Sequence, residues 1–229
     1  LRSIPQPTQR TDEWYKFRHG LLTASNIWKV FATESSRNSL IYEKCKDHDD
    51  KAANIYSPSM QWGNIFEPMS IQIYEKIYKT KVEDFGCIQH ETHRFIGASP
   101  DGINVDPSSH KYGRMLEVKN IYNRTINGIP KKEYWIQIQL QLETCNLEYC
   151  DFLETRFKEF ENIEEFYDQK HDYQGIVLHF VKNREWKYQY LPLGFACNKN
   201  SIELWKAQTI NDMKDQSYGY VRECYWYME

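Results

Sequence analysis

No stretch of this 229-residue chain approaches the ~20 consecutive apolar residues that a membrane-spanning helix needs, so no membrane role is expected. Cysteine is present but never clustered: Cys45, Cys87, Cys145, Cys150, Cys197 and Cys224 are scattered without a Cys-x-x-Cys spacing. Zinc sites and iron–sulfur clusters need gathered thiolates, so neither is expected. The cysteines read instead as reduced, mostly buried thiols in an intracellular compartment. Internal repeats and low-complexity linkers are missing too, and a single domain over residues 1–229 is expected. The first residue is Leu1 rather than Met, and residues 1–10 do not resemble a signal peptide, which points to a piece of a longer product.

What is present is a folding composition, 41% hydrophobic with 15% aromatic, in a chain long enough for a substantial core. The net charge of −3 hides an uneven distribution. Residues 1–46 carry eight Lys or Arg against four acids, residues 111–132 carry six against Glu117 alone, and residues 143–172 carry ten acids against three bases. Phosphate attraction depends on local potential rather than on total charge, and the two basic segments flank the chemistry described next. Either one alone would read as an ordinary solvated face.

Thr11 is a plausible N-cap, with Asp12 and Glu13 in the first turn, for a short helix ending near Gly20. A second helix is expected from Thr23 through Phe31, and a long one from Ser57-Pro58 to about Lys79, kinked or broken at Pro68. Short strands are read at Val82–Ile88, Ile103–Val105 and Arg114–Lys119, then a helix opened by Pro130 and running to about Cys145. A strand at Tyr149–Arg156 and an acidic helix at Glu159–Tyr167 follow. The region of about 174–216 reads as a hairpin turning at Asn183-Arg184 and a final helix. The order describes an α/β fold with a mixed central sheet flanked by helices.

The chemistry is concentrated in Ser99-Pro100-Asp101-Gly102 and, sixteen positions after Asp101, Glu117-Val118-Lys119. Residues two apart on a strand share a face, so Glu117 and Lys119 point one way and Leu116 and Val118 the other, toward the core. Asp101 and Glu117 offer carboxylate oxygens to a hard divalent cation. Lys119 can then help an attacking water lose its proton, or stabilise charge on a transferring phosphoryl group. Glu67, in Gln61-Trp62-Gly63-Asn64-Ile65-Phe66-Glu67, would close the site, with Gly63 allowing a close backbone approach; a solvated helix face is the ordinary alternative. Tyr134, Gln137 and Gln141 fall on one face of a helix, and buried glutamines need partners that a carboxylate–lysine site would supply. Gln139 reads as filler. Arg18 and Ser25 bracket the Gly20 turn, where a guanidinium fork and a hydroxyl beside free backbone N–H groups could hold a phosphate; a surface ion pair is the common fate of such an arginine.

Trp14-x-x-x-Arg18-x-Gly20-x-x-Thr23-Ala24-Ser25, Trp62-Gly63-x-x-x-Glu67, Ser99-Pro100-Asp101-Gly102, Leu116-Glu117-Val118-Lys119 and Tyr134-x-x-Gln137-x-Gln139 occur in that order. Together, over about residues 11–155, they resemble the YqaJ-type viral recombinase family, close to the phage lambda exonuclease, in the PD-(D/E)xK nuclease superfamily. Glu148-Tyr149-Cys150-Asp151-Phe152 is most similar to versions from large eukaryotic DNA viruses. The resemblance implies a restriction-endonuclease-like core. It implies that Asp101, Glu117, the Val118 carbonyl and Glu67 ligate one or two Mg²⁺ ions, with Mn²⁺ as a substitute. It further implies that Lys119 assists the attacking water, that Gln137 orients Lys119 or that water, and that Arg18 and Ser25 bind a terminal 5′-phosphate. Two departures stand out: an insertion at residues 106–112, and a segment, residues 120–132, whose Arg124, Lys131 and Lys132 suit DNA contact.

The expected activity is a Mg²⁺-dependent deoxyribonuclease, a 5′-to-3′ exonuclease on double-stranded ends in viral DNA recombination, repair or replication. A ring-shaped trimer, a single-strand annealing partner and a site of action in host cytoplasm or nucleus follow from the same resemblance. The rivals are an endonuclease on the same fold and a non-catalytic DNA-binding module; an iron–sulfur nuclease is set aside for want of clustered cysteines.

Overall fold

Thr11 caps helix α1 (Asp12–His19) as expected, its side chain accepting from the Trp14 N–H, with acids in the first turn and Lys16, Arg18 and His19 in the last. The computed structural model describes residues 1–46, 57–195 and 198–229, so Cys197 lies outside the described residues. No helix among them is long and apolar enough to cross a membrane. The contacts group into two compact units. The first comprises Leu1–Pro58, Tyr74–Lys119 and Thr125–Glu154; the second comprises Ser59–Ile73, Asn120–Arg124 and Thr155–Glu229.

The helix expected from Thr23 is replaced by a short strand, β1 (Leu22–Thr23), and a 3-10 turn over Ile27–Phe31. Two hydrogen bonds explain the change. The Ala24 N–H is taken by the Gly97 carbonyl at 2.9 Å, and the Thr23 N–H by Asn26 Oδ1 at 3.0 Å. The sequence reading passed over α2 (Glu34–Cys45), which Thr33 caps. Helix α3 (Pro58–Tyr78) runs through Pro68 unbroken. A proline costs a helix interior about 3 kcal/mol, and the burial of Ile65, Phe66, Met69 and Ile73 offsets that loss.

In the first unit, β2 (Val82–Glu83), β3 (Ile88–Gln89), β4 (Ile96–Ala98), β5 (Gly102–Asn104) and β6 (Met115–Asn120) are followed by α4 (Lys132–Cys145) and β7 (Cys150–Thr155). One sheet has the order β2-β5-β6-β7 and a smaller one β1-β4-β3. β5 and β6 are antiparallel, with Gly102 opposite Leu116. The Met115 N–H bonds the Tyr149 carbonyl and the Ile121 N–H the Thr155 carbonyl, a constant offset that makes β6 and β7 parallel. The sheet is mixed, as expected. A Cβ on Gly102 would lie 2.2 Å from Val82 Cγ1, so only glycine lets β5 close on β2 at the foot of the Asp101 turn. Helix α4 starts two residues after Pro130, because Asn127 Oδ1 caps the Ile129 N–H in a turn and Lys131 is extended. It lies against β3 and β4, with Cys145 in a core of Ala24, Phe85, Ile88, Ala98 and Ile103.

The second unit is built on the antiparallel sheet β10-β9-β11-β8, from β8 (Phe157–Glu159), β9 (Gln174–Lys182), β10 (Glu185–Tyr190) and β11 (Gly219–Met228). The acidic helix expected from Glu159 is shorter: residues 157–159 pair with β11, and α5 (Ile163–Asp168) begins only after the Asn162 cap. The β9–β10 hairpin turns at Asn183 and Arg184, both at positive φ (51° and 69°), which is the type I′ geometry that suits strand twist. Alternate residues of β9 feed two cores. Val177 joins Phe66, Phe157, Cys224 and Trp226 beneath α3 residues, and Ile176, Leu178 and Phe180 meet α5 and α6 (Lys199–Asp215) through Phe166, Ile202 and Met213.

Candidate active site

The short run of β6 concentrates the expected chemistry in the first unit. Met115, Leu116, Glu117 and Val118 are all buried, so both faces of the strand are covered rather than one. Glu117 has no exposed surface at all. A carboxylate taken wholly out of water needs donors on its oxygens. Glu117 Oε1 accepts from Lys119 Nζ and from Gln137 Nε2 (2.6 Å), and Oε2 accepts from Gln141 Nε2 at 2.8 Å. Asp101 stands alongside: its Oδ2 accepts from the Val118 N–H at 2.7 Å, pinning the Ser99–Gly102 turn to the middle of β6.

Burial alone would lower the Lys119 pKa. The attraction of Glu117 and Asp101, with the hydrogen bond to Glu117, outweighs it and holds the ammonium well above its ordinary value. The ammonium also lies 5.1 Å from the Tyr134 ring centroid. Gln137 and Gln141, one helical turn apart on α4, both point at the carboxylate. Gln141 was grouped with Gln137 by helical spacing, but its role depends on a tertiary contact that spacing does not reveal. It is 1% exposed, its Nε2 also reaches the Ser99 carbonyl at 3.4 Å, and its Oε1 is buried with no hydrogen-bond partner among the described residues. An unmet buried acceptor costs about 1–3 kcal/mol.

A second constellation adjoins this one through Ser99. The Arg18 guanidinium donates to Ser99 Oγ and to Ser25 Oγ, both at 3.0 Å, and stacks 4.2 Å over the Trp14 ring. Trp14 Nε1 donates to the same Ser99 hydroxyl at 3.2 Å, and Thr23 Oγ1 lies 3.2 Å from Ser25 Oγ. Burial lowers the Arg18 pKa, and burial raises that of the Cys87 thiol beside it. The hydrogen-bond partners of the guanidinium here are two hydroxyls and the Cys87 thiol, with no carboxylate bonded to it, an arrangement suited to an anion. The free backbone N–H groups expected near Ser25 are instead used at Thr23 and Ala24. The contacts of Trp14 and Ser99 with Arg18 arise only once the Ser99 turn folds back, which motif order does not reveal.

Lys131 and Lys132 are exposed at the start of α4, Lys131 lying 3.8 Å from Glu133. Glu67 and Arg124 belong to the second unit. Glu67 is half-buried on α3, and the Arg124 carbonyl accepts from Arg156 Nη2. A Cβ on Gly63 would meet nothing within 4 Å; the close backbone approach expected there is not what this glycine serves, although its carbonyl accepts from Asn120 Nδ2 at 3.1 Å.

Among the described residues no group of three or more His, Cys, Asp or Glu side chains is gathered for a metal ion. Glu117 and Asp101, the latter tied to the N–H of the residue after Glu117, are the two carboxylates here. These are hard oxygen donors, which fit Mg²⁺ or Mn²⁺ and not a soft metal.

Residues 13–148 match the YqaJ-like viral recombinase domain. An uncharacterized protein of Acanthamoeba polyphaga mimivirus is 32% identical over 180 residues, which is 72% of this chain but 32% of that protein. The chain thus spans about a third of the length of this relative. Among solved structures, an alkaline exonuclease (LHK-Exo) from Laribacter hongkongensis aligns with a TM-score of 0.53 at 22% identity, covering 90% of this chain and 94% of that one. The same enzyme in complex with dAMP aligns with a TM-score of 0.51. These two likenesses show the fold, which is the restriction-endonuclease-like PD-(D/E)xK core expected from the sequence.

Proposed function

This chain belongs to the YqaJ-like viral recombinase domain family, and we propose that it is a metal-dependent deoxyribonuclease degrading duplex DNA from 5′ ends in viral recombination, repair or replication. The observation that carries the reading is Glu117: a fully buried carboxylate, held by Lys119, Gln137 and Gln141 beside Asp101. A buried ion pair is a poor way to gain stability, which makes a chemical reason for it the better one.

Asp101, Glu117 and the Val118 carbonyl would hold one or two Mg²⁺ ions, with Mn²⁺ as a substitute, which when bound polarise the scissile phosphate and make water more acidic. Lys119 sets a positive charge where the transferring phosphoryl group gains negative charge. Gln137 fixes the orientation of the Glu117 oxygen that Lys119 also holds. Arg18 and Ser25 grip the terminal 5′-phosphate, and the restraint this places on the strand end favours digestion from ends over internal cutting. Arg124, Lys131 and Lys132 contact the phosphate backbone. A ring of three copies, a single-strand annealing partner and action in host cytoplasm or nucleus extend the same proposal.

The test is digestion of end-labelled duplexes with Mg²⁺, comparing 5′-phosphate ends, 5′-hydroxyl ends and closed circles. The expected outcome is fastest loss of the 5′-phosphorylated strand, with circles intact. Efficient cutting of closed circles would make the protein an endonuclease. Failure to cut any of the three with Mg²⁺ or Mn²⁺ would leave only a DNA-binding module.

A further inference from the structure

Gln141 occupies a place where the two constellations of the first unit meet. Its single amide nitrogen donates to Glu117 Oε2 at 2.8 Å and approaches the Ser99 carbonyl at 3.4 Å. On its other side Ser99 Oγ accepts from Arg18 Nη1 (3.0 Å) and Trp14 Nε1 (3.2 Å). Two residues beyond Ser99, Asp101 is tied to the Val118 N–H. A continuous path of hydrogen bonds therefore runs from the guanidinium through Ser99 and Gln141 to the buried carboxylate.

We propose that Gln141 is a positioning residue through which an anion bound at Arg18 sets the placement of the Glu117 carboxylate. The inference rests on reading the Arg18 pocket as the terminal-phosphate site. An anion that draws the Arg18 N–H groups away from Ser99 Oγ changes what restrains Ser99. Ser99 then transmits the change to Asp101 along the chain and to Glu117 through the Gln141 amide. Coupling of this kind acts on the rate of cleavage rather than on the affinity for the end.

The experiment measures kcat and KM with Mg²⁺ on duplexes bearing a 5′-phosphate or a 5′-hydroxyl, for the natural chain, Gln141→Leu, Arg18→Ala and the double variant. Binding of a 5′-phosphorylated oligonucleotide without metal is followed by fluorescence anisotropy. Gln141→Leu is expected to reduce the preference for phosphate over hydroxyl ends about tenfold, through kcat, while anisotropy still reports the phosphorylated end bound. Arg18→Ala should then cost far less in the Gln141→Leu background than alone. Gln139→Leu, on the exposed face of the same helix, should keep the natural ratio. Equal losses on both ends, or additive effects of Arg18→Ala and Gln141→Leu, would overturn the coupling. A natural chain with no preference between ends would instead remove the terminal-phosphate reading, and the inference with it. Should Gln141→Leu fail to fold, Gln141→Met keeps the length without the amide and makes the same comparison.

Discussion

In the second unit the longest strands, β9 and β11, carry aliphatic and aromatic side chains into cores on both faces, whereas in the first unit the heavily buried strand β6 carries a glutamate among its apolar residues. Phe66 stacks on Phe157 at 4.5 Å and both rings meet Trp226 edge-on, a compact apolar cluster with large transfer energies. Around Glu117 the burial is of charge, balanced by an ammonium and two amides. The apolar cluster around Trp226 and the buried charge around Glu117 are thus two kinds of burial, although the first unit has an apolar core of its own around Cys145. Each should respond differently to substitution.

The largest effect is expected from Asp101→Asn. An asparagine oxygen can still accept from the Val118 N–H, so the urea midpoint should move little while Mg²⁺-dependent cleavage falls about 10³-fold. A variant that unfolds more readily by several kcal/mol would erase the distinction. Next comes Trp226→Ala, which should cost about 3–5 kcal/mol in urea unfolding. Cleavage per folded molecule should stay near the natural value; a proportionate loss of kcat would show that the apolar core also tunes the chemistry.

The smallest effect concerns pH. His179 is buried in the second unit, and burial, with the charge of Arg222 adding to it, pushes its imidazole down to about 4. The unfolded chain takes up that proton near the ordinary value of about 6.5, while the folded chain resists until much lower pH. Its contribution is therefore complete above about pH 6.5 and is lost as pH falls toward 4, by an amount on the order of 3 kcal/mol. His179→Phe should flatten the dependence in urea unfolding from pH 7 to 4. An unchanged slope would place the pH sensitivity elsewhere.

Elements with local chemistry were legible in the sequence. The Thr11 cap, the Asn183-Arg184 turn and the four-residue spacing of α3 needed no tertiary information. Helix α2 escaped because only Leu40 of its twelve residues is buried, leaving no apolar stripe to recognise. Strand β11 escaped because its register shifts between Tyr220 and Arg222, which breaks the alternation. The site divides in the same way. Glu117 and Lys119 are two apart on one strand, and Gln137 is recognisable from motif order. The tie from Gln141 to Ser99, however, joins residues 42 apart in the chain and depends on how α4 lies against the Asp101 turn.

The path of the chain between the units bears on how a smaller version could be made. The family match ends at residue 148, before β8, β9, β10 and β11 begin, yet Ile65, Phe66, Met69 and Ile73 of α3 are packed against those strands' Phe157, Val177, Cys224 and Trp226. A protein cut at residue 148 would keep Arg18, Asp101, Glu117, Lys119 and Gln137 and strip the covering from one side of the longest described helix, leaving a greasy face that invites precipitation. The stretch by which kinship is recognised and the stretch over which α3 is covered are therefore different lengths of the same chain.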